Sequence, residues 1–323
     1  MSDVIVFLDS GAPTLYNKFA RTNKGSSFMG AYLKDRKQDD FSFIESDAYF
    51  KYRQKYIDFL KENKSKVNLY ANLDIINNAE ATWKNQLLME KEGLKPLPVF
   101  HLGEDIKWLK HYIDKGYDYI AIGGLIPNPF KVLAPALDEI WSKYLVNKKG
   151  EAIIKIHGFA LTSVRLMIRY PWFSVDSASW IKFSIYGTVI FPKLDRGGKR
   201  DYRNSPEGVF FSNKSSKRFE EGGKHYDTFT SLEKKYFQEY LKEYDCQIGV
   251  SSFKDVEDGY NLRDREFWYD KANLVVEKIE ESGVCNSYAH RAKMNLIYFL
   301  EFQKELSKHP VTFLNKKQTL GVL

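Results

Sequence analysis

Only two of the 323 residues are cysteine, Cys246 and Cys285. A chain of this length with two thiols has no disulfide framework, so the expectation is a reduced, intracellular protein. Long apolar runs are missing too. Met1-Ser2-Asp3 leads into about five apolar residues, too few for a signal core or a membrane span. A soluble, cytoplasmic protein with no membrane partner is expected. The sequence also lacks Gly-x-Gly-x-x-Gly and P-loop patterns, which removes two common cradles for nucleotide phosphates.

What the chain does have is apolar bulk: 43% hydrophobic residues and 15% aromatics, enough for a substantial core and against extended disorder. The formal charge of +7 favours a polyanionic partner, although lysine-rich surfaces also serve solubility.

Apolar stretches of strand length alternate with stretches of helical periodicity from residue 3 to about 180. Strands are expected at Val4–Leu8, Val67–Leu73, Leu97–Phe100, Tyr119–Ile122, Ala152–Ile156 and Trp172–Val175, with a further one at Thr188–Phe191. Helices are expected at Ile44–Lys61, Ala79–Lys91, from Ile106 to Gly116, at Ala134–Tyr144 and at Ser163–Arg169. Strand–helix alternation at this pace implies an α/β fold with a parallel sheet, and the number of units favours a (β/α)8 TIM-like barrel over a doubly wound open sheet. The expected organisation is a single barrel domain spanning 1–323, interrupted by a basic loop insertion at 193–225 and closed by a mainly helical segment at 226–323.

In such a barrel the chemistry sits at the carboxyl ends of the strands. Read in order, those ends are Asp9-Ser10-Gly11, Leu73-Asp74-Ile75, Phe100-His101-Leu102-Gly103, Gly123-Gly124-Leu125, His157-Gly158-Phe159 and Asp176-Ser177-Ala178. Three supply carboxylates where solvation is poor, and the other three all carry glycines that let a flat ligand approach the backbone. Basic residues are missing from these ends, so a purine-like ring, a sugar or a carbonyl compound fits the deepest position better than a phosphate. Cations gather elsewhere: between 193 and 218, Lys193, Arg196, Lys199, Arg200, Arg203, Lys214, Lys217 and Arg218 face only Asp195, Asp201 and Glu207. This segment reads either as a surface for a phosphate backbone or as a solvated loop.

In order and in kind, these strand ends resemble those of the tRNA-guanine transglycosylases and their relatives that act on DNA. The family's series runs Asp-Ser-Gly-Gly, an Asp turn, a Gln-Gly turn, Ala-Ile-Gly-Gly-Leu, a glycine-rich turn, and Phe-Asp-Ser or Phe-Asp-Cys. The counterparts here are Asp9-Ser10-Gly11, Asp74, Leu102-Gly103, Ala121-Ile122-Gly123-Gly124-Leu125, His157-Gly158 and Val175-Asp176-Ser177-Ala178. The string Asp176-Ser177-Ala178-Ser179 looks most like the archaeal branch and phage-encoded relatives.

The resemblance implies base exchange. Asp176 would attack the anomeric carbon and Asp9 would shuttle the proton, in the manner of a retaining glycosidase with a free 7-deazaguanine base as acceptor in place of water. Asp74 would accept hydrogen bonds from the purine edge, or else cap the following helix. Ser10, Gly11, Gly103, Gly123, Gly124 and Gly158 would complete the substrate pocket.

Departures from the family pattern accompany the matches. Ala12 stands where a second glycine is usual, and Leu102 replaces a base-recognising glutamine. His101 is a candidate substitute for that glutamine or a structural residue, and His157 has the same two readings. The family's tRNA enzymes carry a zinc held by three cysteines and a histidine. Cys246 and Cys285, even with His290, cannot supply three thiolates, so no zinc or other cofactor is expected. With no RNA-binding module after the barrel, DNA is the expected substrate, with tRNA as the alternative. Trp172, Phe173 and Trp180 are candidates to stack on bases, or core residues.

Overall fold

The structure, a computed structural model, describes residues 7–11, 43–126, 128–161, 163–215, 224–308 and 310–313. The first half of the expected strand Val4–Leu8, Ala12, Lys217 and Arg218 lie outside the described residues.

The fold is mixed α/β. Six strands follow one another in chain order: β1 (Phe7–Leu8), β2 (Leu69–Tyr70), β3 (Val99–His101), β4 (Tyr119–Gly123), β5 (Lys155–Gly158) and β6 (Ser174–Val175). β3 to β6 form a four-stranded parallel sheet in which each strand pairs with the next in sequence. β1 pairs with β2, also in parallel, and a parallel bridge between Ala71 and Leu97 carries the succession on towards β3. The strand expected at Ala152–Ile156 is displaced: pairing begins at Lys155, and Ala152 instead bridges antiparallel to Val146. Apolar character alone does not separate these two short runs.

The helices between the strands are α1 (Asp47–Glu62), α2 (Ala79–Lys91), α3 (Lys107–Asp114) and α4 (Phe130–Ile140). Local chemistry sets their ends. The Ser46 hydroxyl accepts the Tyr49 N–H and the Asn78 side chain accepts the Ala81 N–H, each satisfying a donor that the first helical turn leaves free. Along α1, Tyr49, Tyr56, Ile57 and Leu60 recur at helical spacing and are buried with Leu73, Met89 and Leu94.

Period-two alternation gives the strands a second apolar face. Ala71, Leu97, Val99 and Ala121 form a separate buried cluster, with Phe7, Leu69, Tyr119 and Phe159 packed against it. Burial on both faces is the reason these strands read as continuous apolar runs.

Where one barrel domain was expected, the chain divides into two compact units. The first comprises residues 1–161, 169–176 and 312–323, and the second residues 162–168 and 177–311. The second contains α5 (Val164–Met167), α6 (Ser179–Ile185), β7 (Thr188–Phe191), β8 (Lys193–Leu194), β9 (Arg200–Asp201), β10 (Glu207–Phe210), α7 (Ser231–Glu243), β11 (Val250–Asp255), β12 (Glu266–Asp270), β13 (Val275–Glu281) and α8 (Tyr288–Lys308). β7 pairs antiparallel with β10 over a core that includes Val189, Phe191, Val209, Phe237, Tyr240 and Met294.

Two features of this unit were not expected. At the start of the expected loop insertion, β8 and β9 form a small antiparallel hairpin, whose turn Asp195 organises by accepting the Gly197 and Lys199 N–H groups. Beyond residue 226 the helices α7 and α8 are joined by an antiparallel sheet of β11, β13 and β12. Phe267-Trp268-Tyr269 and Val275-Val276 favour strands, but the dense Lys and Glu around them hide that preference. Among the described residues, no helix is long and apolar enough to cross a membrane.

Candidate active site

Asp9, Asp74 and Asp176 lie just beyond β1, β2 and β6, all in the first unit. Three acids from strand ends far apart in sequence are close enough to feel one another. The Asp9 carboxyl is pushed above the ordinary carboxylate range, first by burial, then by the negative charges of Asp74 and Asp176, against the pull of the Ser10 and Gly11 amides. Asp9 is itself an exposed residue, so it is reachable from solvent despite the protein packed around it. An acid held towards its protonated form beside other carboxylates is equipped to give up a proton during a reaction.

Asp74 belongs to a buried network. One of its oxygens accepts from the Ser10 hydroxyl at 2.9 Å, and the other meets His101 Nε2 at 2.9 Å. The opposite ring nitrogen of His101 meets a Glu104 oxygen at 3.1 Å, and the second Glu104 oxygen accepts the His101 backbone N–H. Burial by itself would push the imidazole down. The hydrogen bonds to Asp74 and Glu104 overcome that and raise it to about 10, so His101 is an imidazolium held between two carboxylates.

This arrangement favours the structural reading of His101. Both ring nitrogens are engaged within the protein and only 4% of the residue is exposed, so His101 holds Asp74 in place and, in this arrangement, has no ring nitrogen free for a further bond. Gly123 makes room for it: a Cβ there would sit 2.7 Å from the His101 ring. Gly158 likewise abuts the Trp172 ring, at 3.2 Å for an added Cβ, which makes Trp172 a packing residue as well. Around Gly103, by contrast, no atom of the described residues lies within 4 Å of an added Cβ. A Cβ on Gly11 would meet the Tyr52 hydroxyl, which donates to the Ser10 carbonyl at 2.7 Å.

Further along the same sheet, on β5, His157 is almost wholly buried, with the rings of Phe7 and Phe159 standing nearly perpendicular to it at 4.6 and 4.7 Å. Its Nδ1 lies 2.6 Å from Ser174 Oγ, and Ser174 Oγ lies 2.5 Å from the Tyr119 hydroxyl. Its Nε2 faces Asp176 Oδ1 at 3.3 Å. The same oxygen accepts the Ala160 N–H at 2.8 Å, while the Asp176 side chain remains half exposed. Gly124, at φ +74°, approaches the backbone of Leu102, where only a residue without Cβ is comfortable.

Sequence reasoning missed Tyr52, Glu104, Tyr119 and Ser174. Glu104 carried a local signal, three residues after His101. Ser174 had none, because it meets His157 only through the β5–β6 register.

Of the expected phosphate-binding residues, Lys193, Arg196, Lys199 and Arg203 are exposed, with no side-chain ion pair among the described residues. Arg200 is committed elsewhere: it pairs with Glu243 and lies over the Tyr240 ring at 4.7 Å. Lys214 donates to the Trp268 carbonyl. Phe173 is 60% exposed, with Lys155 Nζ 5.2 Å from its ring centre. Cys246 and Cys285 are buried, with burial pushing both thiols up, and two such residues do not fit a three-cysteine zinc site.

No protein-family model, curated protein or solved structure matches the chain. Its chemistry is therefore read from the strand-end motifs and the three carboxylates they bring together.

Proposed function

We propose that the chain is a pentosyltransferase of the guanine-transglycosylase kind, exchanging guanine in DNA for a 7-deazaguanine derivative. Asp176 attacks C1′ of deoxyribose, the C1′–N9 bond breaks, and its electron pair leaves with guanine, which takes a proton from Asp9. The incoming base then attacks C1′ through N9, the bond to Asp176 breaks, and Asp9 recovers the proton. Asp74 binds the purine edge, since each carboxylate oxygen can accept more than the one bond it makes within the protein.

The observation that carries this reading is the gathering of Asp9, Asp74 and Asp176 beyond three strand ends of one unit, near enough that burial and the other two charges lift the Asp9 carboxyl. An accessory subunit that only binds has no use for a proton donor beside a second, half-exposed acid. The six parallel strands in chain order, with a private apolar cluster on one face, support a (β/α)8-type barrel with this chemistry at its carboxyl end. The cations of the β8–β9 hairpin support a polyanionic substrate, and a target base must leave the stack before C1′ can be reached.

The test is incubation with DNA or tRNA and labelled 7-deazaguanine bases. Label should enter DNA, and a covalent DNA adduct should form with the unaltered protein and vanish in Asp176→Asn. Label entering tRNA alone would reassign the substrate. Guanine release without incorporation would point to a hydrolase, and full exchange by Asp176→Ala would remove the nucleophile assignment.

A further inference from the structure

The side of Asp176 that faces the protein is built from parts the reaction scheme does not use. His157 is buried to 99%, and its Nε2 makes no hydrogen bond among the described residues, yet it lies only 3.3 Å from Asp176 Oδ1, near enough for a small ring rotation to close the bond. Oδ1 also accepts the amide of Ala160, a residue held at φ +51° in the left-handed region that residues with a Cβ seldom adopt. Oδ2 has no partner among the described residues. One carboxylate oxygen is therefore tethered and the other is left to react.

The hydrogen on His157 follows from its neighbours. A neutral imidazole carries one ring hydrogen. A carboxylate oxygen offers none, so contact between Nε2 and Oδ1 is attractive only with the hydrogen on Nε2. In the neutral ring Nδ1 then accepts, and the Ser174 hydroxyl at 2.6 Å is its donor. The Ser174 oxygen in turn accepts from the Tyr119 hydroxyl, which is aligned at 2.5 Å. Tyr119 and Ser174 thus form a chain of donors that fixes the tautomer of His157.

We propose that His157, oriented by Ser174 and Tyr119, is the positioning residue for Asp176. It holds Oδ1 so that Oδ2 attacks C1′, and its Nε2–H receives the negative charge that returns to the carboxylate when the incoming base displaces it. The bonds made and broken are those of the exchange itself, and His157 neither gains nor loses a proton. This inference rests on the exchange reading for its effect on rate, but not for the tautomer.

Two measurements test it. In the first, 15N NMR of the histidine rings should find the His157 hydrogen on Nε2, with Ser174→Ala scrambling the assignment. A hydrogen on Nδ1, or a tautomer indifferent to Ser174→Ala, overturns the proposal whatever the protein's activity. In the second, Ser174→Ala and His157→Leu should lower kcat for base exchange about tenfold or more, the loss expected for one hydrogen bond to a charged group. KM for the free base should stay within about twofold, and more covalent DNA adduct should accumulate as its breakdown slows. His157→Gln, which can still present an N–H near the Nε2 position, should recover part of the rate. Unchanged kcat in Ser174→Ala with the unaltered protein active overturns the positioning role. Absence of both exchange and adduct in the unaltered protein, with the expected tautomer present, overturns instead the exchange reading on which the rate effect depends.

Discussion

At the scale of single residues, the buried group with most at stake is His101. Its charge compensates two carboxylates, Asp74 and Glu104, whose side chains are 9% and 8% exposed. Removing one partner from such a cluster leaves charge unpaired in a poorly solvated site, which costs on the order of 3–5 kcal/mol. His101→Gln should therefore lower the urea midpoint sharply. The pH dependence follows from the direction of the shift. The imidazole binds its proton up to about pH 10 in the folded chain, against an ordinary value of 6.5. Its contribution is complete below about 6.5 and is lost as pH rises towards 10. The stability gap between the unaltered protein and His101→Gln should narrow steadily between pH 7 and 10; a constant gap would mean that the imidazole is not charged.

At the scale of elements, α8 is bolted to its neighbours by polar side chains. Asn295 is fully buried: its oxygen accepts the Ile190 N–H of β7, and its amide donates to the carbonyls of Trp180 and Thr188. One turn earlier Arg291, whose charge burial disfavours, donates to the carbonyls of Ser184 and Val284. Asn295→Leu fits the apolar surroundings but strands three backbone groups, each costing about 1–3 kcal/mol. We expect a loss of at least ~3 kcal/mol in urea unfolding, against almost none for Leu296→Gln on the exposed side of the same helix. Equal effects for the two would show that the Asn295 bonds contribute nothing net. In sequence, Asn295 is merely a polar residue inside an amphipathic run.

At the scale of the whole molecule, a charge of +7 acts where its cations are uncommitted. Arg200 and Lys214 are occupied by protein partners, whereas Lys193, Arg196 and Lys199 project from the hairpin. Replacing these three by alanine should weaken DNA binding with little regard to base sequence. Each phosphate deprived of its cation should reduce the slope of log affinity against log salt by about one, so by up to about three in all. An unchanged slope would place the DNA elsewhere, while Asp176-dependent exchange on short oligonucleotides would survive.

The alternation of strands and helices was legible in the sequence because burial on both faces makes each parallel strand an unbroken apolar run, and caps such as Ser46 and Asn78 mark where helices begin. Strand-end acids were legible for the same reason, since a carboxylate closing an apolar run stands out. The antiparallel sheet of β11, β13 and β12 was not, because half-exposed strands dense in Lys and Glu leave only a weak period-two signal. The partners of the two histidines were also beyond local pattern. Gly123 leaves space for the His101 ring through the β3–β4 pairing, and Ser174 reaches His157 through the β5–β6 register. The sequence by itself determined which residues carry charge at the strand ends. Only the tertiary structure decided which of those charges are neutralised, which is lifted towards its proton and which is left half exposed, because solvation and hydrogen bonding depend on what lies across the sheet.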